Sequence, residues 1–315
     1  MEIRARENRI MVSSTKDRVI HDLKTNKIIY LMVLPVLVYF IIFKYGPMYG
    51  IMIAFKEYSA AKGILHSSWV GLEHFQEFFG SLYFGRTLRN TVLVSLYSII
   101  WEFPAPIIFA LMLNEIRNNA FKRIAQTITY IPHFISLIVV CGLVADFTKT
   151  DGVVNQIISL LGGEKTNLLM RKDMFRTVYI ASGLWQNLGW NSIIYLSALS
   201  SIDNALYEAS YIDGAGRWKQ MIHITLPGIA PTIVILFILK LGGVLNVGFE
   251  KIILLYNPMT YETADVISSY VYRKGLLEAN YSYGTAVGLF NSIINFVLVI
   301  TANRISKKVT NISLW

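Results

Sequence analysis

Charge is scarce in this chain. Only 16% of its 315 residues are Asp, Glu, Lys or Arg, where an ordinary soluble domain carries about 25%. Hydrophobic residues make up 54%, and mean hydropathy is +0.48. This composition argues against a water-soluble protein and for a polytopic membrane bundle, for which 315 residues form one domain rather than two. In a polar chain, the net charge of +9 would admit a nucleic-acid partner. In one this apolar it belongs with an anionic membrane surface and lipid, and no nucleic acid is expected. The single cysteine, Cys141, lies in an apolar run, so no intrachain disulfide can form and the thiol reads as a small buried hydrophobe.

Catalytic motifs are as sparse as charge. A phosphate-cradling G-x-x-x-x-G-K-[ST] loop is missing. The nearest string, Gly162-Gly163-Glu164-Lys165-Thr166, puts a glutamate where the Gly-Lys junction belongs. Any ATP hydrolysis therefore falls to a partner. His21, His66, His74, His133 and His223 have neither the i, i+4 pairing nor a nearby cysteine that zinc requires, and no G-x-S-x-G nucleophile elbow is present. The chain is expected to be no enzyme, with no catalytic residue, no metal and no cofactor. Glu102 and Asp146 are the strongest candidates for carboxylates inside apolar segments, few for a proton- or sodium-coupled carrier. No internal repeat is visible, which counts against an inverted-repeat carrier.

Long apolar runs dominate what is present. A helix crosses the hydrocarbon in about 20 apolar residues, and six windows qualify: 28–53, 89–113, 126–147, 177–200, 228–249 and 284–303. The first is too long for a signal-peptide core and lacks a small-residue cleavage site, so it reads as an uncleaved anchor. Pro104 and Pro106 should kink the second unless neighbours satisfy the freed carbonyls. Six spans put both termini on one side. The basic tail of Arg4, Arg6, Arg9, Lys16, Arg18, Lys24 and Lys27 places that side in the cytoplasm. The expected organisation is a cytoplasmic tail at 1–27, a six-helix transmembrane domain at 28–303 and a cytoplasmic tail at 304–315, with external loops at about 54–88, 148–176 and 250–283.

Between the fourth and fifth spans runs SIDNALYEASYIDGAGRWKQMIHITLP, residues 201–227. Ile202, Leu206, Ala209 and Ile212 share one face of a short helix. Ser200 with Asp203 three residues on resembles a capping box. Gly214 and Gly216 permit a sharp turn, and Trp218, Met221 and Ile222 open a second apolar face. The spacing predicts helix, turn, helix at the inner membrane surface.

Glu208-Ala209-Ser210, Asp213-Gly214-Ala215, Trp218 and Ile224-Thr225-Leu226-Pro227 resemble the EAA loop of ABC importer permeases, with glycine six positions after the glutamate and Leu-Pro ending nineteen after it. Ser210 stands where that loop usually has a second alanine. The segments KYGPMYGIMIAFKEY at 44–58, WVGLEHF at 69–75, LNEIRNNAFKRIAQTITYIPHFIS at 113–136, VGFEKIILLYNP at 247–258 and the terminal SLW extend the resemblance to the polysaccharide and lipoprotein-type branch of carbohydrate permeases. The resemblance implies an all-α type I importer permease in the bacterial inner membrane, with a cytoplasmic coupling helix. It also implies as partners a second permease subunit, a dimer of ATP-binding subunits holding ATP and Mg, and an external solute-binding lipoprotein. Glu208, Ala209, Ser210, Asp213, Gly214, Ala215 and Trp218 would then couple to the ATPase.

Sugar recognition needs flat apolar faces for the ring and amides or carboxylates for hydroxyls. Trp185, Asn187, Trp190, Asn191 and Tyr195 supply these in the fourth span, as do Lys240, Asn246, Phe249 and Glu250 at the fifth. They are the expected substrate pathway. The alternative is that the tryptophans form an interfacial belt and the amides bond between helices. At the level of function, alternatives are an ABC permease for lipid-linked or peptide cargo, or an ATP-independent membrane scaffold.

Overall fold

A computed structural model describes residues 21–310 and 312–314 of the chain. The described residues form an all-helical bundle apart from one two-residue antiparallel ribbon, Lys56–Glu57 against Ser68–Trp69. Helix α1 (Lys27–Phe40) continues to Phe55. Helix α2 (Glu73–Gly80) precedes α3 (Leu82–Tyr97), which runs into α4 (Pro104–Glu115). Next come α5 (Asn119–Tyr130), α6 (Leu137–Thr148), α7 (Val153–Leu160) and α8 (Phe175–Ser200). The hairpin of α9 (Asn204–Ile212) and α10 (Arg217–Gln220) leads into α11 (Leu226–Gly242). Short α12 (Phe249–Leu255), α13 (Tyr261–Ala264) and α14 (Ile267–Val271) then precede α15 (Tyr281–Thr310).

Among the described residues, four helices are long and apolar enough to cross a membrane: Lys27–Phe55, Leu82–Glu115, Arg217–Gly242 and Tyr281–Thr310. A fifth exists if the broken pair Asn119–Phe134 and Leu137–Leu160 counts as one span. The window 126–147 is thus not one straight helix. The chain turns by 103° between Phe134 and Leu137, where Ile135 and Ser136 are extended. The 26-residue α8 would reach about 39 Å at 1.5 Å per residue, but Gln186, Asn187 and Asn191 make it less apolar. The expected span 228–249 stops early, at Gly242. Asn246 therefore sits in a loop, and Phe249 and Glu250 open the separate helix α12.

Proline shapes three of these spans in one way. A π-turn ends two residues before Pro47, before Pro104 and before Pro227, at Ile41–Tyr45, Ser98–Glu102 and Met221–Thr225. Proline lacks an N–H and its ring crowds the carbonyl four residues back. A wider i→i+5 turn removes that conflict without ending the helix. Leu82–Glu115 consequently persists as one span despite Pro104 and Pro106, with Glu102 on the widened turn.

Helix α8 lies at the centre, packed on α4, α5 and α11. One apolar cluster, including Val94, Val140, Phe175, Tyr179 and Ile252, joins α3, α6, α8 and α12. Another joins α4, α8 and α11 through Ile107, Ala110, Tyr195, Leu199 and Ile229. A third ties α2 and α14 to α15 through Phe78, Tyr270, Tyr283 and Val287. Beside it, the fully buried Asp265 receives Arg86 at 3.0 Å and Arg273 at 2.7 Å. Asn90 donates to the carbonyls of Glu262 and Asp265 and accepts from Arg176 at 2.8 Å. A buried carboxylate holds its charge only with such partners, and this network fixes α13 and α14 against α3 and α8.

Candidate functional site: a polar chamber and an exposed helical hairpin

Glu102 is the hub of the interior. Its π-turn swings the carboxylate into the space between α3, α8 and α11, where Ser98 Oγ donates to it and Lys240 Nζ approaches to 3.5 Å. Three adjoining cavities of about 300, 240 and 410 Å³ share Glu102 as a wall. The first is also lined by Ser95, Ser98, Lys240, Asn246 and Gly248. Asn191, Tyr195 and Lys240 line the second. Gln186, Asn187, Phe249, Glu250 and Lys251 line the third.

Gly183 makes this arrangement possible. A β-carbon there would stand 2.4 Å from Glu102 Oε1 and 3.1 Å from Lys251 Nζ, so only glycine lets both charges reach the same gap. Lys251 is buried, donates to the carbonyl of Tyr179 at 2.8 Å and lies 4.7 Å from the centre of that ring. Asn246 Oδ1 accepts from Asn291 and Asn295 at 2.9 and 3.2 Å, fixing the loop after α11 to α15. Asn187 donates to the carbonyl of Gly183 and pairs with His133 Nδ1 at 3.0 Å.

The structure thus gathers Asn187, Asn191, Tyr195, Lys240, Asn246, Phe249 and Glu250 around these adjoining cavities, although they come from three helices and a loop. Trp185 and Trp190 do not join them. Trp185 lines an apolar groove with Leu143, Phe147, Val154 and Met174. Trp190 stacks on His133, with ring centres 4.5 Å apart and planes at 5°, bracing the elbow after α5. Asp146 is exposed beside Lys149. Sequence reading missed Ser98 as a lining residue and the pairing of Glu102 with Lys240; Gln186 and Lys251 stood in the runs it singled out but were not assigned to the pathway. Asn291 and Asn295 were detectable in principle, as amides one turn apart in an apolar helix.

The second site is the α9–α10 hairpin. Its N-cap is Asp203, which accepts from the Ala205 N–H at 2.9 Å. Ser200 instead donates to Ser197 within α8, so the cap lies one turn later than the expected box. Helix α9 ends where Gly214 N–H reaches the Tyr211 carbonyl and Ala215 N–H the Ser210 carbonyl, at 3.0 and 2.9 Å, with Gly214 at φ +74°. This is a Schellman stop, which needs a left-handed residue at that position. Tyr207 hydroxyl meets Thr225 Oγ1 at 2.9 Å, and Gln220 donates to Ser210 Oγ at 2.9 Å. The inner face of α9 is therefore carried by Tyr207 and Ser210, and Ile202 packs at Gly228 on α11. The outer face is bare. Tyr211, Ile212 and Trp218 are 80%, 84% and 76% exposed, and Glu208, Ala209 and Asp213 are exposed with them. Large apolar side chains exposed together in this way form a surface patch of the kind that protein contacts cover.

Residues 102–311 match the family described as binding-protein-dependent transport system inner membrane component. The polygalacturonan/rhamnogalacturonan transport system permease protein YteP of Bacillus subtilis (strain 168) is 45% identical over 300 residues, covering 95% of this chain and 94% of that protein. Protein LplB of the same organism is 45% identical over 287 residues, covering 91% and 90%. Among solved structures, a chain of the bacterial alginate ABC transporter in complex with alginate pentasaccharide-bound periplasmic protein is 44% identical. It superposes with a TM-score of 0.87 over 94% of this chain and 100% of its own.

Proposed function

The chain belongs to the inner membrane components of binding-protein-dependent transport systems, in the polysaccharide-uptake branch of ABC importer permeases, and from that premise we propose how its two sites divide the work. Such a subunit is a multi-pass membrane protein that catalyses no reaction; a partner hydrolyses ATP. The chamber around Glu102 is half of a translocation pathway for oligo- or polysaccharides of the pectic or alginate kind that the relatives' names carry. A second permease subunit supplies the other half. Helix α8 and the α5–α6 pair complete six spans with α1, α3–α4, α11 and α15, and both termini lie in the cytoplasm.

The α9–α10 hairpin is the coupling element. Its exposed Tyr211, Ile212 and Trp218 fill a groove of the ATP-binding subunit, and Glu208 meets a basic residue there. Aromatic anchors of this kind carry most of an interface's binding energy. Helix α10 runs without interruption through its π-turn into α11, which bears Lys240. Movement of the docked hairpin is therefore transmitted to the chamber wall. The external loops receive the sugar-loaded binding protein.

The observation that carries this reading is the bare apolar face of a hairpin whose inner face is bonded through Tyr207 and Ser210. Purification of the transporter from membranes tests it: an ATPase co-purifies with the chain, and sugar-loaded binding protein stimulates its hydrolysis. A chain that purifies without an ATPase, or an ATPase indifferent to loaded binding protein, contradicts it.

A further inference from the structure

We propose that Lys251 reads a carboxylate of the cargo, so that this permease selects oligosaccharides of uronic acids; the proposal rests on the importer reading above and assigns its selectivity to one side chain. Lys251 is only 7% exposed. Its ammonium has three N–H donors, of which one reaches the Tyr179 carbonyl at 2.8 Å. Among the described residues no carboxylate lies within ion-pairing distance of it, whereas Lys240 has Glu102 at 3.5 Å. A buried ammonium with no carboxylate in direct contact carries a desolvation cost that Glu102, across the Gly183 gap, and the Tyr179 ring offset only in part, and a methionine would fill the same volume without that cost. The charge is retained for something that enters.

The surroundings specify what enters. Lys251 opens on the cavity of about 410 Å³ that also holds Gln186, Asn187 and Phe249. Two carboxylates face this space: Glu102, already bonded to Ser98 and Lys240, and the exposed Glu250 on Lys251's own helix. A uronate carboxylate that enters this cavity takes the two unspent N–H groups of Lys251. The amides of Gln186 and Asn187 meet ring hydroxyls, and Phe249 covers the apolar ring face. A neutral sugar leaves the ammonium unpaired, and a site built around a bonded group discriminates strongly against ligands lacking its partner. The relatives point the same way, since polygalacturonan and the acidic polysaccharide alginate both carry a carboxylate on their sugars.

The test uses the complete transporter and its binding protein in proteoliposomes, with trigalacturonate, trimannuronate and their carboxyl-reduced counterparts as probes, and reads sugar uptake and ATP hydrolysis together. The wild type is expected to import at least one acidic trimer. Lys251→Gln lowers that uptake tenfold or more while hydrolysis stimulated by the binding protein stays within twofold, and Lys251→Arg restores at least half the uptake. Any reduced trimer that the wild type imports passes Lys251→Gln within twofold. Equal uptake of the acidic trimer by Lys251→Gln and wild type overturns the proposal. So does parallel loss of uptake and hydrolysis, or failure of Lys251→Arg, either of which marks a structural role. A wild type that imports neutral trimers but no acidic one overturns it too and leaves the importer reading standing. Import of no sugar at all defeats the importer reading, and this proposal with it.

Discussion

Glu102 and Lys240 stand 138 residues apart in the chain and 3.5 Å apart in the fold. The pair bridges α11 to the π-turn at the end of α3, and both side chains are partly exposed to the chamber, Glu102 at 20% and Lys240 at 37%. Removing one partner strands the other charge in a half-buried setting. That cost is on the order of 1–3 kcal/mol, below that of a fully buried pair because chamber water screens it. Lys240→Leu is therefore expected to lower the melting temperature of the purified transporter and to reduce uptake, and Lys240→Leu with Glu102→Gln to recover part of the stability. A double variant no better than the single one, or single variants that behave like wild type, would show that the two groups act independently.

The extent to which this was legible in the sequence follows from the range of each interaction. The hairpin could be read because its signals are local: the glycine at 214, the apolar spacing from Ile202 to Ile212 and the Leu-Pro at 226–227 lie within one short stretch. Even there the N-cap was misplaced, because Ser200 and Asp203 are both capping types and only backbone geometry shows that α8 runs on through Ser200. The apolar windows located the long helices. They did not reveal the 103° break after Phe134, which turns on extended backbone at Ile135 and Ser136, nor the end of α11 at Gly242. The chamber was legible only in part. Asn187, Asn191 and Lys240 are conspicuous as polar groups in apolar runs, but the role of Lys251 depends on Gly183 and Tyr179, about 70 residues earlier in the chain. Tryptophan's two common uses, at membrane interfaces and against sugars, cannot be separated by composition, and Trp185 proved to lie in an apolar groove.

Gly214 offers a test free of steric complication. Its φ is +74° and a β-carbon there would touch nothing within 4 Å, so the whole effect of a substitution is conformational. Gly214→Ala should cost about 1 kcal/mol and Gly214→Val somewhat more, paid by re-aiming α10 relative to α9. Membrane insertion should be unchanged, while retention of the ATPase on the purified permease weakens in the order Gly, Ala, Val. Equal retention by all three would show that the hairpin's angle is irrelevant to docking.

Ser210 is bonded within the hairpin. Gln220 donates to its hydroxyl at 2.9 Å, and the loss of one such bond costs about 0.5–1.5 kcal/mol. Ser210→Ala should leave uptake within about threefold of wild type, and Gln220→Ala should cost less in that background than in the wild type, because the shared bond is already lost. In a double-variant cycle the coupling between positions 210 and 220 is expected to be non-zero. Strict additivity would remove Ser210 from the hairpin's internal support.

Orientation has its own measurement. A cysteine placed at the exposed Asp213, in a chain with Cys141 replaced, should react with a membrane-impermeant maleimide only after the cytoplasmic face is opened. Labelling in intact cells would invert the topology and remove the hairpin from the side where the ATPase works.

The central claim is that the α9–α10 hairpin joins ATP hydrolysis to sugar movement, and the ratio of sugar imported to ATP hydrolysed by the reconstituted transporter tests it most directly. Glu208 is exposed and makes no ion pair among the described residues, so reversing its charge disturbs nothing within this chain. Glu208→Lys should leave the folded permease intact yet lower that ratio at least tenfold, either by releasing the ATPase or by letting it turn over without transport. A Glu208→Lys transporter that moves as much sugar per ATP as the parent would contradict the assignment of this hairpin as the coupling element.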